Sequence, residues 1–208
     1  MSGSIDQLIV DKVAVLYGRA AAVTSVTALP GDASSRRYYR VRLSGVVPPS
    51  LMTMQLPVGS GLPISSEELA VFTEELKELP FLNVHRFLHG IGVRVPEVYG
   101  QWETEGLLFI EDLGDTPLWD RVQGLSENQV IAWYKKAIDE LLRLQVVGTQ
   151  KRDDACLAFQ QRFDEKLYLW ELEHFIEWGL EKRPGTRVTT KMLATLRKTF
   201  VSMAQRLD

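Results

Sequence analysis

The spacing of hydrophobic residues along the chain changes character near residue 114. Before that point, alternating and β-branched runs predict five strands, over residues 23–29, 36–43, 51–56, 97–103 and 107–111. Helical spacing and helix-start signals predict helices over residues 5–17, 65–79 and 81–90. Because short turns join most of the neighbouring strands, we expect the strands to form one antiparallel sheet.

From residue 117 onward, apolar residues recur at intervals of three or four, which is typical of amphipathic helices. We predict two such stripes and a final helix over residues 189–207. The first stripe comprises Ile131, Tyr134, Ile138, Leu141 and Gln145, the second Phe159, Phe163, Leu167, Trp170, His174 and Trp178, and the final helix carries Met192, Leu196, Phe200 and Met203. The expected fold class is α+β, with a β-rich lobe over residues 1–114 and a helical lobe over residues 115–208. The crevice between two such lobes is a favoured place for a ligand.

Composition and charge exclude several classes of protein. The 208 residues are 45% hydrophobic and 25% charged, an ordinary globular composition. A net charge of −3 argues against a nucleic-acid partner. The single cysteine, Cys156, excludes an internal disulfide and fits a reducing compartment. No apolar run approaches the roughly 20 residues of a membrane span, and charged residues within residues 5–17 argue against a signal peptide. We therefore expect a cytoplasmic protein with no membrane partner.

Residues 31–41 combine a polar turn with an arginine-rich strand. Backbone N–H groups of such a turn, followed by guanidinium groups, suit the binding of phosphate. Strand alternation divides the side chains between two faces. One face carries Arg36, Tyr38, Arg40 and Arg42, and the other carries Arg37, Tyr39, Val41 and Leu43. We expect the second face to pack on helices and the first, polar face to be open to a crevice or, as the alternative, to be the solvated face of an ordinary edge strand.

Residues 107–115 form a buried apolar strand that runs into acidic residues and glycine. The backbone of such a segment can offer alternating C=O and N–H groups to a flat heterocycle such as adenine. The alternative interpretation is a strand followed by a Gly-Asp turn, which many proteins contain.

Five segments, taken in order, resemble one family. They are Gly31-Asp-Ala-Ser-x-Arg-Arg-Tyr-x-Arg40, Met52-Thr-Met54 with Pro57, the run over residues 81–98, the Glu-Asp-Leu-Gly stretch within residues 107–114, and the helical residues 163–178. Together they cover almost the whole chain. They resemble the aminoglycoside-phosphotransferase (kinase-like) superfamily, and within it the bacterial kinases of N-acetylmuramate and N-acetylglucosamine.

The resemblance implies a protein-kinase-like two-lobe fold with a five-stranded antiparallel sheet in the N-terminal lobe. It further implies an ATP-dependent phosphotransferase, a sugar or amino-sugar kinase, whose partners are a nucleotide and a small-molecule acceptor with an alcohol group. Four residues would close over the ATP phosphates: Asp32, Ala33, Ser34 and Ser35. Glu111, Asp112 and Leu113 would be the hinge that contacts adenine. Such loops act mainly by positioning and by neutralising charge.

The third strand departs from the family pattern. Kinases carry a lysine there that binds the α- and β-phosphates, whereas residues 51–56 contain no lysine, and Gln55 or Met54 stands in the corresponding place. We expect an arginine of the preceding strand, Arg36, Arg37 or Arg40, to supply the missing positive charge.

The catalytic loop of the family is a second departure. None of the histidines, His85, His89 and His174, begins a His-x-Asp sequence. The sequence-based expectation is a truncated kinase, with no catalytic residue in this chain and with Mg²⁺ ligands beyond residue 208. The fragment would be inactive and would self-associate through exposed apolar surface of its helical lobe. The alternative is a non-catalytic kinase-like module for nucleotide binding or protein interaction.

Overall fold

A five-stranded antiparallel sheet is the main feature of the first part of the chain. The computed structural model describes residues 4–31, 36–57, 76–160 and 162–208. The strands lie in the order β1-β2-β3-β5-β4. They are β1 (Ala22–Ala28), β2 (Arg37–Ser44), β3 (Ser50–Gln55), β4 (Val98–Trp102) and β5 (Leu107–Glu111). The predicted α+β class and the five antiparallel strands are confirmed, with small shifts at the strand ends.

Helix α1 (Ile5–Tyr17) packs on one face of this sheet. The Ser4 hydroxyl accepts a hydrogen bond from the Gln7 N–H and so caps the helix. Ile9 and Val13 are buried on the sheet. Burial of side chains of this size stabilises the fold by about 1.5–3 kcal/mol each. Their buried partners are Tyr39, Val41, Leu43, Leu51, Leu107 and Phe109. The prediction that this face of β2 packs on a helix is confirmed.

The opposite face of the sheet is more apolar than the sequence suggested. Leu79 and the first turn of α2 (Pro80–Gly90) pack there against Met52, Met54, Leu56, Leu108 and Ile110. Tyr38 joins this second cluster, and its Oη lies 3.3 Å from the Met54 Sδ. The expectation of an open polar face on β2 is therefore wrong for Tyr38. The alternation of β2 alone does not reveal that β3 and β5 present apolar residues to both faces.

Hydrogen bonds of a buried asparagine also link helix α2 to a later loop. The Asn83 Nδ2 donates to the Ala155 carbonyl at 3.0 Å, and its Oδ1 accepts from the Leu157 N–H at 2.7 Å. The predicted helix over residues 81–90 is confirmed. The one predicted over residues 65–79 falls mainly on residues 58–75, which lie outside the described residues.

Two helices follow the sheet within the same compact unit. A short helix α3 (Leu118–Arg121) precedes α4 (Glu127–Leu142), whose start has a capping box between Ser126 and Gln129. The helix continues as a π-helical stretch over Arg143–Val147 and a last turn to Gln150. The predicted apolar stripe on α4 is exposed. Its members Ile131, Tyr134, Ile138 and Leu141 are 43%, 43%, 50% and 50% accessible.

The chain divides into two compact units, Met1–Leu157 and Ala158–Asp208. In the second unit, α5 (Glu165–His174) continues as a π-helix over Phe175–Glu181, and α6 (Thr190–Leu207) follows. The predicted stripe from Phe159 to Trp178 is not one helix, because the Asp164 carboxylate accepts the Leu167 N–H and starts α5 there. The lobe boundary at residue 114 stays a prediction. None of the described helices has the length and apolarity needed to cross a membrane.

Candidate functional site

An arginine of β2 and two aspartates after β5 form a charged cluster on the sheet. The Arg40 Nε lies 2.9 Å from Oδ2 of Asp112, and its Nη2 donates to Oδ1 of Asp115 at 2.7 Å. The Arg40 side chain is 13% exposed and that of Asp112 only 4%, whereas Asp115 is 73% exposed. The guanidinium therefore joins a central strand to residues 111–115, which we call the 111–115 segment.

Hydrogen bonds keep the buried Asp112 carboxyl ionised. Burial by itself raises the pKa of Asp112, but hydrogen bonds from the Ser50 side chain, the Gly114 N–H and the Arg40 guanidinium together outweigh burial and lower that pKa. The hydrogen bond from Arg40 likewise lowers the pKa of Asp115. In return, Asp115 first and Asp112 second raise the pKa of the Arg40 guanidinium. All three groups are therefore charged at neutral pH.

Some backbone groups of the 111–115 segment form hydrogen bonds, and others are open, with no hydrogen-bond partner among the described residues. The Glu111 N–H donates to the Glu97 carbonyl at 2.8 Å, and the Gly114 N–H donates to the Asp112 Oδ1 at 3.0 Å. Gly114 has φ 80°, a conformation that favours glycine at this turn. Within the described part of the chain, the backbone N–H and C=O of Leu113 form no hydrogen bond. The side chain of Leu113 is also exposed. Leu113 thus offers one backbone donor and one backbone acceptor to a ligand.

Leu113 also lines a cleft of about 670 Å³. Its wall is formed by Glu111 and Leu113 on one side and by the connection from α2 to β4 on the other. The last turn of α2 contributes His89, and the connection contributes Gly92, Val93, Arg94, Val95 and Glu97. A cleft of this size that combines apolar and charged groups has the dimensions of a small-molecule site.

Arg37 and Gln55, which were also predicted to bind a nucleotide, lie apart from the Arg40 cluster. Arg37 begins β2, opposite Gln55 on β3. Gln55 accepts a hydrogen bond from the Tyr39 hydroxyl at 3.1 Å, on the sheet face that packs on α1. Arg36 directly precedes β2. The phosphate-loop residues Asp32, Ala33, Ser34 and Ser35 lie outside the described residues.

Of the predicted site residues, the structure brings Arg40 and Asp112 into contact and places Glu111 and Leu113 on one cleft. The sequence-based prediction missed Asp115 and Ser50, the other partners in the Arg40 cluster. Asp115 follows the Glu-Asp-Leu-Gly stretch directly, so the continuation of that acidic pattern was an available signal. No motif in the sequence indicated that Ser50 belongs to this cluster.

The phosphoryl-transfer chemistry implied by the resemblance also needs a divalent metal. Among the described residues, no group of three or more His, Cys, Asp or Glu side chains could hold such an ion. We therefore derive no step through Mg²⁺ in this chain.

The chain matches no protein-family model and no curated protein. The resemblance to the aminoglycoside phosphotransferases therefore stays a prediction that rests on the sequence motifs.

Proposed function

We propose that this chain binds the adenine nucleotide of a kinase-like phosphotransferase whose acceptor is an alcohol group of a small molecule, a sugar or amino sugar. The observation that carries the proposal is the open backbone of Leu113 beside the 670 Å³ cleft. Adenine presents a donor and an acceptor on neighbouring edge atoms, which one N–H and one C=O of an extended segment can satisfy together. The base that accepts the substrate proton and the ligands of Mg²⁺ are assigned to no residue of this chain.

A substitution that removes a single backbone donor tests this proposal. Proline has no N–H, so Leu113→Pro deletes the proposed donor, whereas Leu113→Ala keeps the donor and removes more of the side chain than proline does. By isothermal titration calorimetry we expect saturable ADP binding for the wild type and Leu113→Ala, and binding at least about tenfold weaker for Leu113→Pro, as for the loss of about 1.4 kcal/mol.

Thermal melting of the same proteins without nucleotide is the control for folding. ADP at about 100 times its dissociation constant should stabilise the wild type by about 2.7 kcal/mol. Equal ADP affinity in Leu113→Pro and Leu113→Ala would contradict the role of this backbone donor. A wild-type protein that binds no adenine nucleotide would reject the proposal.

A second candidate is a non-catalytic kinase-like module. The observation that favours it is the third strand, where Met52 and Met54 are buried in an apolar cluster and no lysine is present, while Arg40 is engaged by two carboxylates. Such a site would bind the adenine base but would gain little binding free energy from the phosphate groups. Titration with adenosine and ATP separates the candidates, because a phosphotransferase site should prefer ATP, whereas a module of this kind should bind both with similar affinity.

The remaining parts of the proposal concern location and assembly. A cytoplasmic protein agrees with the single cysteine, Cys156, and with the composition. Self-association is supported by the exposed apolar stripe of α4. We propose no nucleic-acid or membrane partner.

A further inference from the structure

We infer that Arg40 is a positioning residue that holds the 111–115 segment in the conformation that leaves the Leu113 backbone open to a ligand. This assigns Arg40 a role different from that of a phosphate ligand. The inference rests on the proposed function, because the ligand it concerns is the adenine nucleotide.

The register of the sheet explains how Arg40 reaches this segment. Arg40 pairs with Met52 on β3, and Met52 pairs with Ile110 on β5. Neighbouring strands lie about 4.8 Å apart, so the guanidinium spans roughly two strand spacings to reach residues that follow β5. A long side chain is therefore needed, and its apolar stem crosses the sheet beside Met52.

The planar fork of arginine contacts two carboxylates of the same segment. Nη2 lies 3.1 Å from Oδ1 of Asp112 and 2.7 Å from Oδ1 of Asp115. The same Asp112 oxygen accepts the Gly114 N–H at 3.0 Å. One guanidinium thus fixes the residues on both sides of Leu113. Lysine could carry the charge but could not bridge both carboxylates with a fixed geometry.

The contacts of the Arg40 guanidinium with two carboxylates also argue against its binding a phosphate group of the nucleotide. The guanidinium faces two anionic groups, and the buried Asp112 would lose its charged partner if Arg40 turned to a phosphate. Leaving a buried carboxylate unpaired is costly. Arg42 provides a matched comparison. It lies on the same face of β2, opposite Ser50, but it is exposed, and among the described residues no hydrogen bond or ion pair joins it to either aspartate; its charge acts on Asp115 only through space, where it helps to lower the pKa of that carboxyl.

The experiment measures hydrogen exchange and nucleotide affinity in parallel. Arg40→Met keeps the apolar stem and removes the fork, Arg40→Lys keeps the charge, and Arg42→Met is the control. By mass spectrometry of the nucleotide-free proteins, we expect faster amide exchange in the peptide that contains residues 111–115 for Arg40→Met, with wild-type exchange in α4. By calorimetry we expect ADP binding weakened about tenfold or more for Arg40→Met, less for Arg40→Lys and not at all for Arg42→Met.

The outcomes separate this inference from the proposed function. Unchanged exchange in Arg40→Met overturns the inference, and so does faster exchange with unchanged ADP affinity, which would make Arg40 only structural. A wild-type protein that does not bind ADP rejects the proposed function, and the inference with it, whatever the Arg40 variants do. If Arg40→Met does not fold, Arg40→Met/Asp112→Asn removes the unpaired buried charge together with its partner. The same increase in exchange and loss of affinity are expected for that double variant, and their absence overturns the inference.

Discussion

Thr53 lies at the centre of β3 with its side chain fully buried, between Tyr39 on β2 and Phe109 on β5. Among the described residues its hydroxyl has no hydrogen-bond partner. A buried polar group without a partner costs about 1–3 kcal/mol. We therefore predict that Thr53→Val, which keeps the shape and removes the hydroxyl, increases the free energy of unfolding in urea by about 1 kcal/mol.

The control for this substitution is Thr53→Ala, which removes the hydroxyl and also leaves a cavity. We expect it to be less stable than Thr53→Val by about 2 kcal/mol, the cost of deleting two buried methyl groups. A Thr53→Val protein that is less stable than the wild type would show that the hydroxyl has a partner in solution.

At the scale of elements, the cluster of Arg40 with Asp112 and Asp115 links β2 to the end of β5, and its strength should depend on pH. The pKa values of both aspartates are lowered in the folded protein from the ordinary 3.8. The unfolded chain therefore binds protons more readily, so this contribution to stability is complete above about pH 5 and is lost as the pH falls through the lowered values.

The prediction concerns the difference in unfolding free energy between the wild type and Asp112→Asn, measured in urea from about pH 6 to pH 2. Above pH 5 the wild type should be the more stable protein. The difference should shrink as the pH falls below about 3.8, because the unfolded chain takes up a proton there while the folded Asp112 carboxyl, with its lowered pKa, is still ionised. A difference that stays constant over this range would mean that Asp112 has the same pKa in both states.

Elements with a strong local signal were predictable from the sequence, and their contacts across the sheet were not. Helix α1 follows from helical periodicity and strand β5 from a short continuous apolar run, each within one segment. The pairing of Arg40 with Asp112 joins residues 72 positions apart and depends on β3 lying between β2 and β5. Alternation assigned Arg40 to a face of its strand, but only the strand order shows which residues that face meets.

Helix α5 shows how a local signal can compete with periodicity. The apolar spacing from Phe159 to Trp178 continues without a break, yet the helix begins only at Glu165, because the Asp164 side chain caps it. Aspartate favours the N-cap because its carboxylate satisfies a free N–H of the first turn. The cap was present in the sequence and should have been given more weight than the stripe.

At the scale of the whole molecule, the exposed stripe of α4 is the feature that most affects behaviour in solution. Ile131, Tyr134, Ile138 and Leu141 lie on one side of the helix and are each at least 43% accessible. A contiguous apolar surface of this kind is typical of an interaction site. We therefore expect the chain to self-associate through this stripe, with an average mass in light scattering that rises with concentration.

A pair of substitutions with the same change of charge tests whether the stripe is the contact. Ile138→Lys places a cation within the stripe, whereas Asp139→Asn makes the same change of charge about 120° around the helix from the centre of the stripe. We expect Ile138→Lys to shift the protein towards the monomer, because burying an unpaired ammonium group between two copies is unfavourable, and Asp139→Asn to associate like the wild type. Association that persists in Ile138→Lys would locate the contact on another surface, and a wild type that is monomeric at every concentration would contradict self-association.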